Sequence, residues 1–267
     1  MIATASSLHD STVISADFGI DPLELHVLNP EKYPFLLEST AAGTAQGRFD
    51  ILFAFPERTV RLDSGAAGQR DFLAGFDDAW RSEKLPVVNT GHLPFSGGWF
   101  VLLAYELAGQ IEPRLELPVR IDSPVALAVR IRAALIRDRH TCQAWIVAEP
   151  GAQSLAAELA ADCRQLPACK RSPRPLLEGA LVEPDGQAYI DSVEAAREYI
   201  ARGDIFQANL SREWRARLAP GIRAADVYRR LRQHNPAPFS GLAVCGEHAV
   251  ISSSPERLFR ISGDRID

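Results

Sequence analysis

The residues with chemistry to offer are a row of amides and hydroxyls, a pair of arginines and four cysteines. Gln207, Asn209 and Ser211 alternate with Phe206, Ala208 and Leu210, so an extended chain would line up three neutral hydrogen-bonding side chains on one face. Such a row is either a solvent-facing surface or a partly buried functional face, since buried polar groups require partners. Arg130 and Arg132 share one face of a strand and could hold an anion; because Arg is seldom fully buried, a solvated sheet face is the expectation. Cys142, Cys163, Cys169 and Cys245 fit neither a disulfide framework nor the C-x2-C spacing of a zinc site, which points to reduced, structural thiols.

The elements that must position these residues follow from periodicity and turn chemistry. Residues 48–62 read as two strands joined as a hairpin at Pro56-Glu57-Arg58, and 71–80 as a short amphipathic helix with Phe72, Leu73, Phe76 and Trp80 on its apolar side. Residues 99–105 are a buried strand or helix start. Residues 124–136 and 141–148 read as strands around a turn at 137–140, and 152–166 as an Ala- and Leu-rich helix. Pro167, Pro173, Pro175 and Pro184 then forbid helix and mark 167–186 as a linker between a region 1–166 and a second region 187–267. In the second region, Asp191 with Glu194 forms a capping box before the stripe Val193, Ala196, Tyr199 and Ile200, and Gly203 supplies the left-handed stop. The alternation at 204–211 predicts a strand. A helix over 224–233, a hairpin of 240–245 with 249–253, a turn at Ser254-Pro255-Glu256 and a strand at 258–261 complete the order. Arg265-Ile266-Asp267 is too short for a strand of about five residues, so the expectation is a longer protein cut inside a sheet.

Composition sets the outer limits. With 46% apolar and 24% charged residues over 267 positions the chain can bury a core, which excludes disorder and fibrous repeats. A net charge of −5 argues against nucleic acid as a partner. The longest apolar run, Trp99 to Tyr105, is far short of the roughly 20 residues that cross a bilayer, and residues 1–15 lack a basic start and an apolar stretch. No membrane partner and a cytoplasmic location are expected.

Two stretches carry a resemblance: residues 199–211 (Tyr-Ile-Ala-Arg-Gly-Asp-Ile-Phe-Gln-Ala-Asn-Leu-Ser) and 252–259 (Ser-Ser-Ser-Pro-Glu-Arg-Leu-Phe). Both resemble the chorismate-utilising enzymes, the family of anthranilate synthase and aminodeoxychorismate synthase large subunits. Leu36-Leu37-Glu38-Ser39, Gly47-Arg48-Phe49-Asp50 and Leu93-Pro94-Phe95-Ser96-Gly97-Gly98 extend the resemblance from about residue 30 to the end. It implies an α+β fold of mostly antiparallel sheets with flanking helices, of which this chain would be the N-terminal portion. Within the family, Pro238-Phe239-Ser240 is similar to aminodeoxychorismate synthase component I, whereas anthranilate synthases usually carry Pro-Tyr-Met there.

The implied reaction replaces the C4 hydroxyl of chorismate by ammonia, giving 4-amino-4-deoxychorismate on the way to 4-aminobenzoate and folate. Ammonia would come from a glutamine amidotransferase partner. Expelling a hydroxyl from a dianionic ring needs a proton donor and a cation. By resemblance Glu256 is the acid/base, a residue that composition alone would leave as an exposed Glu at a strand end. The family's Mg2+ ligands, its nucleophilic Lys and its substrate-carboxylate groups would lie beyond residue 267, so the chain by itself is expected to be catalytically incomplete. The resemblance also implies a tryptophan site at Ser39, Gln46, Gly47, Arg48, Phe49, Pro238, Phe239 and Ser240, with Gln46 standing where some relatives have an aromatic residue. Glu38 is either a partner for the ligand's ammonium or a surface charge. The competing readings are anthranilate synthase component I and, from another class, a non-catalytic tryptophan-binding or subunit-docking module.

Overall fold

The computed structural model describes residues 11–41, 47–64, 71–85, 91–115, 117, 124–166, 174–262 and 264–266. The chain divides into one unit of Met1–Cys169 with Val227–Asp267 and a second of Lys170–Asp226.

The first unit begins with β1 (Thr12–Ala16), α1 (Pro22–Leu28), β2 (Phe35–Glu38), β3 (Phe49–Ala54), β4 (Thr59–Asp63) and α2 (Phe72–Ser82). There follow β5 (Gly98–Leu103), a 3-10 turn at Tyr105–Leu107 leading into α3 (Ala108–Ile111), β6 (Pro124–Ile131), β7 (Ala133–Asp138), β8 (Gln143–Ala148) and α4 (Gln153–Gln165). The second unit holds α5 (Gly186–Arg202), and the division between the units falls inside α6 (Ala224–His234). Strands β9 (Phe239–Cys245) and β10 (His248–Ser254), then a minimal hairpin of β11 (Ile261–Ser262) and β12 (Arg265–Ile266), close the first unit. No described helix is long and apolar enough to cross a membrane.

Strands of the first unit form a seven-stranded sheet, β1-β8-β7-β3-β2-β9-β10, and a three-stranded sheet, β4-β6-β5, with every pairing antiparallel. This is the α+β class the resemblance implies. One face of the seven-stranded sheet contributes Phe35 and Phe53 to a core completed by Phe100, Leu127, Val129 and Ile131 of the other sheet, with Phe35 stacked on Phe100 at 4.0 Å. Each such side chain contributes about 1.5–3 kcal/mol by leaving water. The other face is covered by α1 and α4, which bury Leu23, Leu25, Ala156 and Leu159.

Several expectations are corrected. Strands β3 and β4 exist but form no hairpin: β3 pairs with β2 and β7, β4 with β6. Phe55, at φ 57°, and Pro56 turn the chain out of one sheet, and the Glu57 N–H donates to the Arg130 carbonyl while Arg130 N–H donates to Arg58, which seats the connection on the other. The run 124–136 is likewise two strands, β6 and β7, one in each sheet, parted at Arg132. Helix α5 starts six residues before its expected capping box. Asp185 is its N-cap, accepting from the Gln187 N–H at 2.9 Å, and Asp191 sits inside the helix, accepting from the Gln187 side chain; Gly203, at φ 79°, stops the helix as expected. Residues 204–211 form no strand and are exposed, Phe206 by 92%, because no neighbouring described strand takes up their backbone groups. Only Ile261 and Ser262 of the expected strand at 258–261 and its continuation pair, and they do so with Ile266 and Arg265, so a two-residue hairpin does form near the end.

Arg130 and Arg132 do not form a solvated face. Arg130 is 4% exposed, and its guanidinium donates to Glu83, Glu149 and the carbonyls of Gly98 and Ile131. Arg132 reaches the same Glu149 oxygen at 3.4 Å. The anion at this face is therefore the protein's own. Gly97, at φ 114°, leaves room for it: a Cβ there would collide with the Glu149 carboxylate.

Candidate functional site

Strand pairing sets Ser39, Phe49 and Ser240 around the end of β2. Glu38 lies opposite Ser240 on β9, and Leu37 lies opposite both Ile51 on β3 and Gly241 on β9. The next residues are held by side-chain and turn hydrogen bonds. The Ser39 N–H donates to Asp50 Oδ1 at 3.0 Å and its hydroxyl to the Phe49 carbonyl at 3.1 Å. Thr40 and Ala41 both donate their N–H groups to the Ala237 carbonyl, and Thr40 Oγ1 accepts from the Ala237 N–H at 2.9 Å. The buried Ser240 hydroxyl is 2.8 Å from Thr40 Oγ1. Residues 235–238 cannot continue α6 because of Pro236 and Pro238, and the turn they make is thus clasped by the end of β2.

Of the remaining expected ligand residues, Phe49, Pro238 and Phe239 are half-buried and Gly47 is buried. Arg48 donates through Nε and Nη2 to Asp138 Oδ2, at 3.1 and 2.7 Å, and lies 4.6 Å over the Phe49 ring. Gln46 lies outside the described residues. Burial alone would raise the Asp138 carboxyl, but Arg48 and the N–H groups of His140 and Thr141 outweigh it and bring it down to about 2. An acid whose folded-state pKa is depressed stabilises the fold above its unfolded value of about 3.9 and loses that contribution as the pH falls toward 2. Melting temperature measured between pH 5 and 2 is expected to fall less steeply for Asp138→Asn than for the natural chain.

Alternation along the strands puts Glu38 on the same face as Ser240, its cross-strand partner, and on the opposite face from Phe49. Phe35, Phe49, Ile51 and Phe53 face the three-stranded sheet, whereas Glu38 and Asp50 face the helices. Glu38 is 2% exposed and accepts from Arg232 Nη1 through both oxygens, each at 3.1 Å. It is neither a surface charge nor an open acceptor for a ligand's ammonium. Burial pushes the Glu38 carboxyl up while Arg232 opposes the shift. Around this pair stand Asp21, Asp50, Arg137 and Arg139: Arg139 Nε donates to Asp50 Oδ1 at 2.7 Å, and Arg137 Nη1 lies 3.4 Å from Asp50 Oδ2. Asp50 Oδ2, Arg137 Nε and the Tyr228 hydroxyl are buried and make no hydrogen bond of good geometry among the described residues. Asp50 closes the Gly47-Arg48-Phe49-Asp50 stretch without an assigned role, and Thr40, Arg139 and Arg232 do not stand out in the sequence; their long-range partners give all four significance.

Glu256 follows directly from the same sheet. Ser253 and Ser254 of β10 lie opposite Ser240 and Phe239, so the Ser-Pro-Glu turn leaves the sheet beside the site. The Ser254 hydroxyl donates to the Glu256 carbonyl at 2.9 Å and shapes the bend, and Arg257 lies 5.5 Å over the Phe239 ring. The Glu256 side chain is exposed, with no ion pair or hydrogen bond to its carboxylate among the described residues. No group of three or more His, Cys, Asp or Glu among the described residues could hold a metal ion.

Comparison with known proteins places this arrangement. A model of the chorismate binding enzyme family matches residues 32–267. Anthranilate synthase component 1 of Thermus thermophilus is 32% identical over 265 residues, which cover 92% of this chain and 55% of that protein. Aminodeoxychorismate synthase of Streptomyces griseus is 28% identical over 86% of this chain and 35% of its own length. The crystal structure of anthranilate synthase component I from Streptococcus pneumoniae superposes with a TM-score of 0.65 at 21% identity, covering 85% of this chain and 54% of that one, which shows the shared fold. The chain spans about half the length of these two anthranilate synthase components and about a third of that aminodeoxychorismate synthase.

Proposed function

We propose, for a chain that belongs to the chorismate binding enzyme family, that it supplies the N-terminal part of an aminodeoxychorismate synthase component I, which replaces the C4 hydroxyl of chorismate by ammonia. The observation that carries the choice within the family is Ser240. Its buried hydroxyl pairs with Thr40 Oγ1, so the end of β2 is built around a small hydroxyl at this position. Ser240→Met, which introduces the residue usual in anthranilate synthases, would remove that hydrogen bond and overfill the site. It is expected to cost about 1–3 kcal/mol, read from denaturant midpoints. The second reading, anthranilate synthase component I, is favoured by the 32% identity to the Thermus thermophilus protein.

In the proposed reaction ammonia forms the new C4–N bond and the C4–O bond breaks, the leaving oxygen taking a proton to depart as water. Glu256 is the proposed proton donor, its carboxyl without a partner among the described residues and carried on a bend fixed by Ser254. No step is routed through Mg2+. A glutamine amidotransferase is the proposed source of ammonia. Ser39, Gln46, Gly47, Arg48, Phe49, Pro238, Phe239 and Ser240 are proposed to form a site for tryptophan, with Phe49 and Phe239 as its aromatic walls. Product analysis of the chain combined with a polypeptide carrying the part of the family sequence that it does not span, and supplied with chorismate and ammonium, tests the reading: 4-amino-4-deoxychorismate supports it, and anthranilate, identified by its fluorescence, assigns the second reading instead.

A further inference from the structure

The helix-facing side of β2 carries a charged cluster that the proposed chemistry does not use. At its centre, one guanidinium joins three elements. Arg232 of α6 donates through Nη1 to both oxygens of Glu38 on β2 and to Asp21 Oδ1 at 3.0 Å, and through Nη2 to Asp21 Oδ2. Asp21 is itself the N-cap of α1, accepting from the Leu23 N–H. Two residues beyond Glu38, Thr40 and Ala41 are held through the Ala237 carbonyl. Two of the anchors on the end of β2 thus come from one short stretch, the last turn of α6 and the bend after it, while Ser39 is tied to β3.

We propose that Arg232 is a positioning residue for the amino-acid site. It touches no ligand; by fixing Glu38 against α6 it sets the end of β2, and with it Ser39 and the bend at 235–238, in the register that presents the site. This rests on the reading of residues 39, 46–49 and 238–240 as that site. A planar fork suits the task, because it reaches two carboxylates at once where a lysine offers a point charge. No other cation substitutes well. Arg139 Nη2 is 3.7 Å from Glu38, is already committed to Asp50, and sits in the turn after β7. The remaining groups acting on Glu38 are Asp21, Asp50 and the Tyr228 hydroxyl, and the two carboxylates add charge of the same sign. Without Arg232, a carboxyl buried at the end of β2 has lost its counter-ion, and the strand end, left with its ties at Ser39, Thr40 and Ala41, can shift against α6.

The test uses the natural chain and the variants Arg232→Lys and Arg232→Met. Affinity for L-tryptophan is measured by calorimetry and backbone amide exchange is followed by NMR. Arg232→Met is expected to weaken binding about tenfold or more, equivalent to one charged hydrogen-bonded contact, and Arg232→Lys to recover part of the loss. Amide exchange at Thr40 and Ala41 should quicken in Arg232→Met while Leu135 and Ile136 of β7 keep their protection, a local effect that general destabilisation would not give. Unchanged affinity in Arg232→Met overturns the proposal. If the natural chain binds no tryptophan, the amino-acid reading fails by itself, and exchange decides the rest: faster exchange confined to Thr40 and Ala41 supports the clamp, and unchanged exchange overturns it. Should Arg232→Met not fold, Glu38→Gln removes the charge and keeps an acceptor. It is expected to act in the same direction with about a threefold loss of affinity, and no loss counts against the proposal.

Discussion

Glu256→Gln, combined with a polypeptide carrying the part of the family sequence that the chain does not span, is expected to lower chorismate-dependent product formation by roughly 10²–10⁴-fold while leaving the fold intact, the range typical of removing a general acid. The two halves of that expectation have separate grounds. The carboxyl is exposed and makes no ion pair or hydrogen bond among the described residues, so a neutral amide of the same shape removes no internal contact, and melting should move by less than about 0.5 kcal/mol. The proton, by contrast, has no obvious second source on this side of the site: Ser253 and Ser254 are the neighbouring side chains on β10, and a hydroxyl is a far weaker acid. A variant that unfolds would show that Glu256 is structural. One that keeps full activity would remove it from the reaction.

Arg130→Met should have the largest effect on stability, about 3–5 kcal/mol, the usual cost of leaving buried carboxylates without their cation. Arg130 and Glu149 are each 4% exposed, and Arg130 Nη2 donates to Glu149 Oε2 at 2.7 Å while Nε donates to Glu83 at 3.0 Å. Arg132, at 3.4 Å from the same Glu149 oxygen, is poorly placed to take over. The pair also bears on the whole sandwich. Arg130 is on β6 of the three-stranded sheet, and Glu149 follows β8 of the seven-stranded one, so this contact joins the two sheets beside the corner at Arg132. Thermal unfolding of the variant is expected roughly 10 °C lower at neutral pH, and a change below about 2 °C would mean that the pair is energetically neutral.

The parts of the fold legible in the sequence are those with local causes. Helix α2 forms where Phe72, Phe76 and Ala79 share a face behind the capping Asp71, the β9–β10 hairpin forms at Gly246, and Gly203 ends α5. Helix α1 is missing from the elements expected of the sequence, although Asp21 followed by Pro22 at the first turn marks its N-terminus. Partner choice is different in kind. The hairpin expected of β3 and β4 fails because each finds its neighbours far along the chain, β3 at β7 and β4 at β6, and periodicity does not encode which sheet a strand will join. Arg130 reads as solvated until Glu83 and Glu149 are brought to it by folding. Residues 204–211 show the converse, a perfect alternation with no neighbouring described strand to make it a strand. At the candidate site, motif resemblance singled out Ser39, Phe49 and Ser240, which the structure sets around one strand end. It included Asp50 without a role and missed Thr40 and Arg232, whose importance lies in distances across the sheet and the helix above it.

The most direct test of the account is chorismate turnover. The chain would be mixed with a polypeptide carrying the part of the family sequence that it does not span, and supplied with chorismate and ammonium. The account predicts 4-amino-4-deoxychorismate from the mixture, little from either piece alone, and loss of the product with Glu256→Gln. Formation of anthranilate, or chorismate left unconsumed by a mixture whose two pieces are folded and associated, would contradict it.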